Sequence, residues 1–431
     1  MRLERQYKDD AVDEQAKGGG MPFNWFIGVD WGTTHHLCVI RDDGVVVGRR
    51  AVAHTMQDVQ AALRWIGELT TATPERCAVA IETPRGVVVD TLLERGFAVY
   101  AINPKQLDKF RDRFSAGGAK DDPRDAQVLG DALRTDARAF RLVRPDDPQI
   151  IQLRELCRIA EETQETINGL INRLREQLYR VNAAWLDVVP AADEPWLWHM
   201  LATAPHPQQW ARLSRTRLTR LLRTHRIRRV TADDLWTALR APRLSAAAGV
   251  ADAVALRISA LLPQLLLVSR QQRETDHHID RALERLAESP EAQPREHRDV
   301  VILRSLPGVG RMVAATMLTE AAGPLADRDY ATLRAHGGAA PITKRSSKRT
   351  YVVHMRYACK HRLRNALYHW SRTSLQSDPA TRAYYDQLRA RGHHHARALR
   401  SVADRWLRIL IAMLQHGTVY DPLRFQRLQT H

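Results

Sequence analysis

Apolar and polar positions follow two different periods along this chain. Between residues 23 and 149, short apolar runs bounded by polar turns predict strands at 25–30, 36–41, 45–52, 77–82 and 97–102. Longer amphipathic stretches predict helices at 56–69, 86–95, 104–113 and 121–136. The turn Arg41-Asp42-Asp43-Gly44 predicts a hairpin between the second and third strands. A three-strand meander followed by alternating helices and strands indicates an α/β domain.

Beyond residue 149 the pattern becomes helical. Apolar residues at steps of three or four predict one long helix over 149–187 and a second around 261–286. Such a pair suggests an antiparallel coiled-coil arm or a dimerisation element, and plain core packing is the alternative. Between these helices, residues 195–232 contain eight arginines and no acidic residue. That composition fits either a contact with DNA or RNA or a solvated surface helix.

The sequence Leu306-Pro307-Gly308-Val309-Gly310 lies between two apolar helical segments. It predicts a helix-hairpin-helix, in which glycines let the backbone approach a phosphate and the next helix N-terminus supplies N–H donors. A tight structural turn between helices is the alternative.

Charge is strongly segregated along the 431 residues, a length that suggests two to three domains. The net charge is +16, and residues 301–431 alone carry +15. Ten basic residues and no acidic one occur from Tyr330 to Ser377. This distribution favours a polyanion as partner. No apolar run approaches the ~20 residues needed to span a bilayer, so we expect a soluble protein without a membrane contact. Four scattered cysteines, without CxxC spacing, indicate a reducing compartment.

Four acidic residues occupy positions from which they can converge. Asp30 and Glu82 each close an apolar strand, while Asp122 and Asp125 share one face at the start of a helix. Four converging carboxylates need cations, and their hard oxygen atoms suit Mg²⁺ or Mn²⁺. Paired metals in such sites stabilise the attacking and leaving oxygens at phosphorus. The pattern predicts phosphodiester cleavage or transfer, although each acid alone is also a common turn or cap residue.

A second candidate element is a serine in a cluster of cations near residue 346. Lysine and arginine on both sides can help such a hydroxyl to bind a phosphate or to attack one. The basic segment 356–367 is predicted to be a helix that clamps phosphates. The predicted nucleic-acid contacts are Gly308, Gly310, Arg311, Thr343, Lys344, Arg345, Lys348, Arg349, Arg356, Lys360, Arg362 and Arg364. The run His393-His394-His395 is interpreted as exposed surface.

These pieces together resemble a known family, the DEDD transposases of the IS-one-ten and IS-eleven-eleven insertion sequences, which are relatives of the Piv DNA invertase. The resemblance spans about residues 25–420. The matching motifs, in the family's order, are Gly28-Val29-Asp30, Ile81-Glu82-Thr83-Pro84, Asn103-Pro104, Lys120-Asp121-Asp122-Pro123-Arg124-Asp125-Ala126, Leu306-Pro307-Gly308-Val309-Gly310, Pro341-Ile342-Thr343 and Arg362-Leu363-Arg364-Asn365-Ala366.

The resemblance implies an α/β plus α protein with a RuvC-like (ribonuclease H-like) nuclease domain, a coiled-coil arm and a mostly helical C-terminal transposase domain. The implied divisions are a disordered tail over 1–22, the nuclease domain over 23–148, the coiled coil and arginine-rich helices over 149–298, the transposase domain over 299–420 and a tail over 421–431. The first tail carries no signal-peptide pattern, and Met21 is a possible start.

By the same resemblance, Asp30, Glu82, Asp122 and Asp125 bind Mg²⁺ or Mn²⁺, and Ser346 attacks the scissile phosphate to form a transient phosphoserine link. Two assignments depart from the family's usual pattern. Arg345 and Ser347 differ from the usual neighbours of the serine, so Ser347 is an alternative nucleophile. Asp121 stands where the family has Thr or Ser, and spacing favours Asp122 as the ligand.

The implied partners are donor and target DNA, a non-coding bridge RNA and further copies of the chain in a dimer or tetramer, because nuclease and serine lie in different domains. The implied location is the cytoplasm of a prokaryote, at the nucleoid. A RuvC-like, structure-specific endonuclease that uses water as nucleophile is the alternative function. A nucleic-acid-binding protein with a vestigial site is a third, which the complete set of four acids disfavours.

Overall fold

A computed structural model of the protein describes residues 23–32, 34–114, 122–144, 147–210, 212–241, 247–288, 294–346 and 350–422. Both predicted tails lie almost wholly outside these ranges. The chain divides into two compact units, residues 1–146 and 147–431.

The N-terminal unit is built on a six-stranded mixed sheet with the order β3-β2-β1-β4-β5-β6. β1 is central, antiparallel to β2 and parallel to β4. The five predicted strands are confirmed within two residues at their ends, and a two-residue edge strand was not predicted. The strands are β1 (Trp25–Asp30), β2 (Thr34–Arg41), β3 (Val46–Ala53), β4 (Cys77–Ile81), β5 (Ala98–Ala101) and β6 (Arg141–Leu142).

Helices cover both faces of this sheet, because successive strand residues point to opposite sides. Ile27 of β1 belongs to a core with Val59 and Val88, whereas Phe26 belongs to a core with Leu107 and Leu129. The helices are α1 (Met56–Thr70), α2 (Val87–Glu94), α3 (Pro104–Phe114) and α4 (Asp122–Thr135), as predicted. A mixed sheet of this kind, followed by a mostly helical remainder, fits a ribonuclease H-like N-terminal domain.

Two glycines allow α4 to lie unusually close to β1. A Cβ atom on Gly28 would overlap the carbonyl oxygen of Ala126, and one on Gly130 would come within 3.0 Å of the Gly28 nitrogen. Contact of backbone with backbone leaves no room for a side chain at either position. The start of α4 is therefore held against the central strand.

The second unit consists of helices and one β-hairpin. The hairpin is β7 (Ile342–Ser346) and β8 (Thr350–His354). The helices are α5 (Pro148–Val181), α6 (Ala184–Val188), α7 (Pro195–Thr203), α8 (Pro207–Trp210), α9 (Arg215–Thr224), α10 (Ala232–Arg240), α11 (Val250–Glu288), α12 (Pro294–Arg304), α13 (Arg311–Glu320), α14 (Ala322–Ala326), α15 (Tyr330–His336), α16 (His361–Ser377), α17 (Pro379–Ala390) and α18 (His395–His416).

The two long helices, α5 and α11, pack antiparallel. Ile150 near the start of α5 shares a core with Leu286 near the end of α11, and that core continues into the helices after residue 294. Leu174 near the end of α5 shares a second core with Ile258 and with the small helices between the pair. The predicted pairing of two long helices is confirmed, and each end is also covered by further helices.

The prediction of one helix over 149–187 is wrong over its last six residues, because α5 ends at Val181. Asn182 follows in extended backbone, its side chain accepting from the Ala184 N–H at 3.2 Å and donating to the Ala238 carbonyl at 2.9 Å. These bonds satisfy the side chain outside the helix and start the short helix α6. The apolar spacing continued through the break, so periodicity alone did not show it.

One described helix, α11, is long and apolar enough to cross a membrane by length and composition. Such a match is weak evidence, since core helices of other proteins also meet it. The buried side chains of α11 contact α5 and the helices beside it.

Candidate active site

Three elements of the N-terminal unit bring four carboxylates to one edge of the sheet. Asp30 is the last residue of β1, and Glu82 directly follows β4. Because β1 and β4 are parallel neighbours in register, these two acids leave the sheet side by side. Asp122 and Asp125 lie in the first turn of α4, which packs on β1. The structure thus brings together the four acids that were predicted to converge.

These carboxylates act on one another electrostatically. The pKa of the Asp30 carboxyl is raised above its ordinary value by burial and by the negative charges of Asp125, Asp122 and Glu82. A hydrogen bond from the Trp31 backbone N–H lowers the same pKa and so partly offsets this rise. Like charges raise the pKa of an acid only over short distances. The four acids therefore share one local environment.

A guanidinium holds the most buried of the four acids. Asp125 is 2% exposed, and Arg111 Nε and Nη2 donate to its two carboxylate oxygens over 2.7 and 2.9 Å. Arg111 also pairs with Asp108, one turn earlier in α3. Two parallel, charge-assisted hydrogen bonds are a strong and geometrically specific contact for a carboxylate. Arg111 therefore supplies a positive charge inside the acidic site.

A hard divalent cation fits this site in its chemistry. Four carboxylates offer the oxygen ligands that Mg²⁺ and Mn²⁺ prefer, and a cation would relieve the repulsion that raises the pKa of Asp30. Among the described residues, no three acid, histidine or cysteine side chains are arranged to hold a metal ion. Both oxygens of Asp125 are bonded to Arg111 instead. A cation at Asp125 would therefore compete with Arg111 for these oxygens.

The predicted nucleophile lies near the tip of the hairpin in the second unit. Ser346 is the last residue of β7 and stands opposite Thr350, the first residue of β8. The turn between them, with Ser347, Lys348 and Arg349, lies outside the described residues. Thr343, Lys344 and Arg345 lie on β7, and their predicted contacts with nucleic acid stay predictions.

The segment predicted as a helix-hairpin-helix forms two helices, α12 and α13, joined by residues 305–310. Gly308 has a φ of +78°, and a Cβ there would overlap the backbone of α16 at Ser374. The Gly308 carbonyl accepts from Thr373 Oγ1 at 2.8 Å, and that of Pro307 accepts from Trp370 Nε1 at 3.0 Å. The turn is therefore held against α16, whereas Gly310 is exposed.

Four side chains that were predicted to contact phosphates have protein partners in this structure. The partners are Asp276 and Asp280 for Arg311, Glu161 for Arg362, the Glu320 carbonyl for Lys360 and His361 for Arg364. Partly exposed pairs of this kind contribute little to stability, about 0–1 kcal/mol each. A nucleic-acid phosphate can therefore compete with these partners.

The predicted basic helix over 356–367 is wrong at its start, because α16 begins at His361 after Lys360. The Lys360 N–H donates to the His336 carbonyl at 2.8 Å, so a tertiary bond replaces a helical one. Arg356 consequently lies before the helix, at the base of the β7–β8 hairpin.

Comparison with known proteins agrees with the order of these elements. Residues 27–183 match a family described as transposase, of the DEDD type in IS110 elements. Residues 300–386 match the transposase family of IS116, IS110 and IS902. A Streptomyces coelicolor mini-circle protein, named as a candidate transposase for IS117, is 31% identical over 412 residues, or 93% of this chain and 96% of that protein. The chain belongs to the IS110 family of transposases.

Two further relatives are similar over different lengths. A Sinorhizobium fredii protein named as candidate transposase y4uE is 45% identical over 209 residues, which are 48% of this chain and 58% of that protein. A Streptomyces coelicolor protein of insertion element IS110 is 27% identical over 410 residues, 92% of this chain and 95% of that protein. An IS110-family transposase is a DNA-processing enzyme, and its substrate is DNA.

The arginine-rich segment of this transposase lies on helices between α5 and α11. All eight of its arginines are exposed. Arg229 pairs with Glu194, and Arg215 pairs with Asp233 at 2.6 Å while lying 4.2 Å from the centre of the Trp236 ring. Both interpretations of this segment, a nucleic-acid contact and a solvated surface, are compatible with these exposed arginines.

Sequence reasoning missed several functional candidates in the transposase. Arg111 carries no local signal, since its partner Asp125 is fourteen residues away. Arg397 and Arg400 lie on one face of α18, and Arg334 on α15. A spacing of three residues with no acid between could have drawn attention to the α18 pair. His393, interpreted as exposed, is half-buried, and its Nδ1 is buried without a partner among the described residues.

Proposed function

We propose that this transposase excises and inserts its element by site-specific DNA recombination, with a metal-binding set of four acids and a serine nucleophile. The observation that supports the proposal most is the position of the four acids: Asp30 ends β1, Glu82 follows the parallel neighbour β4, and α4, which carries Asp122 and Asp125, packs on β1. The donor and target duplexes are the proposed substrates. A non-coding bridge RNA and a homo-oligomer in the prokaryotic cytoplasm complete the proposal. The sequence resemblance and the basic charge of residues 301–431 support it.

The acids Asp30, Glu82, Asp122 and Asp125 would hold Mg²⁺ or Mn²⁺ in this scheme. A bound divalent cation would polarise the scissile phosphodiester and neutralise charge on the attacking and leaving oxygens. A cation at Asp125 would compete with Arg111 for its oxygens, and a displaced guanidinium could donate to a phosphate oxygen. The ion pair keeps Asp125 ordered in the absence of the cation.

The serine performs the transfer step. Ser346 Oγ gives up its proton and forms a bond to phosphorus, while the bond from phosphorus to one deoxyribose oxygen breaks. That oxygen takes up a proton and leaves as a hydroxyl. In the second half of the reaction, a deoxyribose hydroxyl of the partner strand attacks the phosphoserine and releases Ser346. The lysines and arginines next to Ser346 in sequence support this role, because they can stabilise the oxyanion.

A substitution at Asp30 tests the metal half of the proposal. Asp30→Asn removes one ligand charge and should abolish recombination of a plasmid substrate, while DNA binding is kept. Because one of four repelling carboxylates is neutralised, the melting temperature without metal should rise or stay unchanged. Asp90→Asn, at an exposed position in the first turn of α2, is the matched control and should retain activity. Full recombination by the Asp30 variant would remove this residue from the site.

A further inference from the structure

A cavity of about 260 Å³ lies at the base of the β7–β8 hairpin. Its walls include Pro341, just before β7, and Arg356, just after β8. The far wall is one face of α18, where Arg397, Arg400 and Asp404 follow at helical spacing. Arg334 of α15 completes a lining with four guanidiniums and one carboxylate.

The one carboxylate is already engaged. Asp404 Oδ1 lies 2.6 Å from Arg334 Nε and accepts from Tyr330 Oη at 2.7 Å. This leaves Arg356, Arg397 and Arg400 without an acidic partner among the described residues. The sequence offers no acid from 330 to 377 that could supply one from the hairpin.

Two of these guanidiniums, those of Arg356 and Arg400, have poor hydrogen-bond acceptors among the described residues. Arg356 Nε is buried and has no hydrogen-bond partner among the described residues. Arg400 Nη1 donates to the thioether sulfur of Met355 at 3.4 Å, and such a sulfur is a weak acceptor. The pKa of Arg400 is lowered by burial and by the charge of Arg397. Because arginine does not deprotonate in proteins, an anion bound in the cavity would relieve this repulsion.

We propose that this cavity binds one phosphate of the DNA backbone, away from the phosphate that Ser346 attacks. A phosphate offers several oxygens to planar guanidinium forks, which is the pairing for which arginine is suited. Five residue-to-residue steps lead from Pro341 to Ser346, a span of roughly 17 Å at about 3.4 Å per step in a strand. The bound phosphate therefore lies several nucleotides from the scissile one. The cavity would fix the position along the DNA strand at which the β7–β8 hairpin contacts it. This role rests on the proposed function.

Phosphate binding can be measured without recombination. The full-length protein is melted in inorganic phosphate and in chloride at equal ionic strength. Ligand that binds only the folded state raises the melting temperature, and phosphate also stabilises proteins generally. The double variant Arg397→Gln/Arg400→Gln should keep the general stabilisation by phosphate. It should lose the further rise in melting temperature that comes from phosphate bound in the cavity. Without phosphate it should be at least as stable as the wild type, because two repelling charges are removed. Arg356→Gln is the second test variant.

The matched control is Arg372→Gln/Arg382→Gln, which removes the same charge from exposed positions on α16 and α17 outside the cavity. It should respond to phosphate as the wild type does. In DNA binding, loss of one phosphate contact should reduce the slope of log affinity against log salt by about 0.9 in the cavity variant.

An equal phosphate response in the wild type, control and cavity variants would overturn the inference. A protein that recombines DNA but shows no cavity-dependent response contradicts this inference alone. A cavity-dependent response in a protein that never recombines DNA contradicts the proposed function alone.

Discussion

Arg111 is the residue at which the metal-free site can be tested most directly. Arg111→Ala leaves Asp125 buried without a counter-ion, so the free energy of unfolding should fall by roughly 1–3 kcal/mol when divalent ions are chelated. Since Arg111 and a cation compete for the same oxygens, Mn²⁺ should bind the variant more tightly and restore its stability. Thermal melting with chelator and with Mn²⁺ measures both effects.

Arg113→Ala is the control for this experiment. Arg113 pairs with Asp136 at 3.0 Å, and both side chains are about half exposed, at 55% and 49%. Loss of such a surface pair should cost less than about 1 kcal/mol and should not change the response to Mn²⁺. If Mn²⁺ stabilises Arg111→Ala no more than the wild type, Arg111 does not compete for the metal site.

At the scale of elements, the contact between β1 and α4 places the acids. Gly28→Ala would force the Ala126 carbonyl away, so we expect destabilisation at the upper end of the roughly 1–3 kcal/mol typical of overpacking. Recombination activity should fall by more than the loss of folded protein explains, because α4 carries Asp122 and Asp125. Gly67→Ala in α1, where nothing lies within 4 Å of the new Cβ, should instead stabilise by about 0.5–1 kcal/mol. Chemical denaturation measures the free energy of unfolding of both variants. An equal change in the two variants would contradict the close-packing argument.

The elements themselves were predictable where one pattern decided them. Apolar runs predicted β1 and β4, and therefore the edge at which Asp30 and Glu82 lie. The end of α5 was not predictable, because Asn182 forms its decisive bond with Ala238, far along the chain. Arg111 and the cavity residues Arg334, Arg397 and Arg400 were missed for a similar reason, since only the fold brings them to Asp125 or to the cavity. Arg356, the fourth cavity arginine, was predicted as a phosphate contact.

At the scale of the whole molecule, the basic region after residue 300 does not make a separate core. Ile150 and Leu153 of α5 belong to the same core as Leu303 and Leu407. A fragment of residues 147–431 should therefore melt cooperatively and bind DNA with strong salt dependence. A fragment of residues 301–431 lacks α5 and α11 and should not fold cooperatively. Calorimetry and salt titrations test both fragments, with residues 23–146 as the comparison; equal DNA affinity of that fragment would contradict the argument from charge.

Charge segregation and domain order were visible in the sequence, because both are properties of long stretches. The sequence could not show that the turn at Gly308 is held against α16. That contact depends on Thr373 and Ser374, which lie more than sixty residues later in the chain.

The central claim is that Ser346 attacks DNA, and trapping of a covalent protein–DNA adduct tests it most directly. The wild type, Ser346→Ala and Ser347→Ala are incubated with a nicked or mismatched substrate and Mg²⁺, then separated under denaturing conditions. We predict an adduct in the wild type and in Ser347→Ala, and none in Ser346→Ala, with DNA binding kept in all three. An adduct lost only in Ser347→Ala would move the nucleophile by one residue. Strand cleavage by the wild type without any adduct would contradict the claim and favour a nuclease in which water attacks.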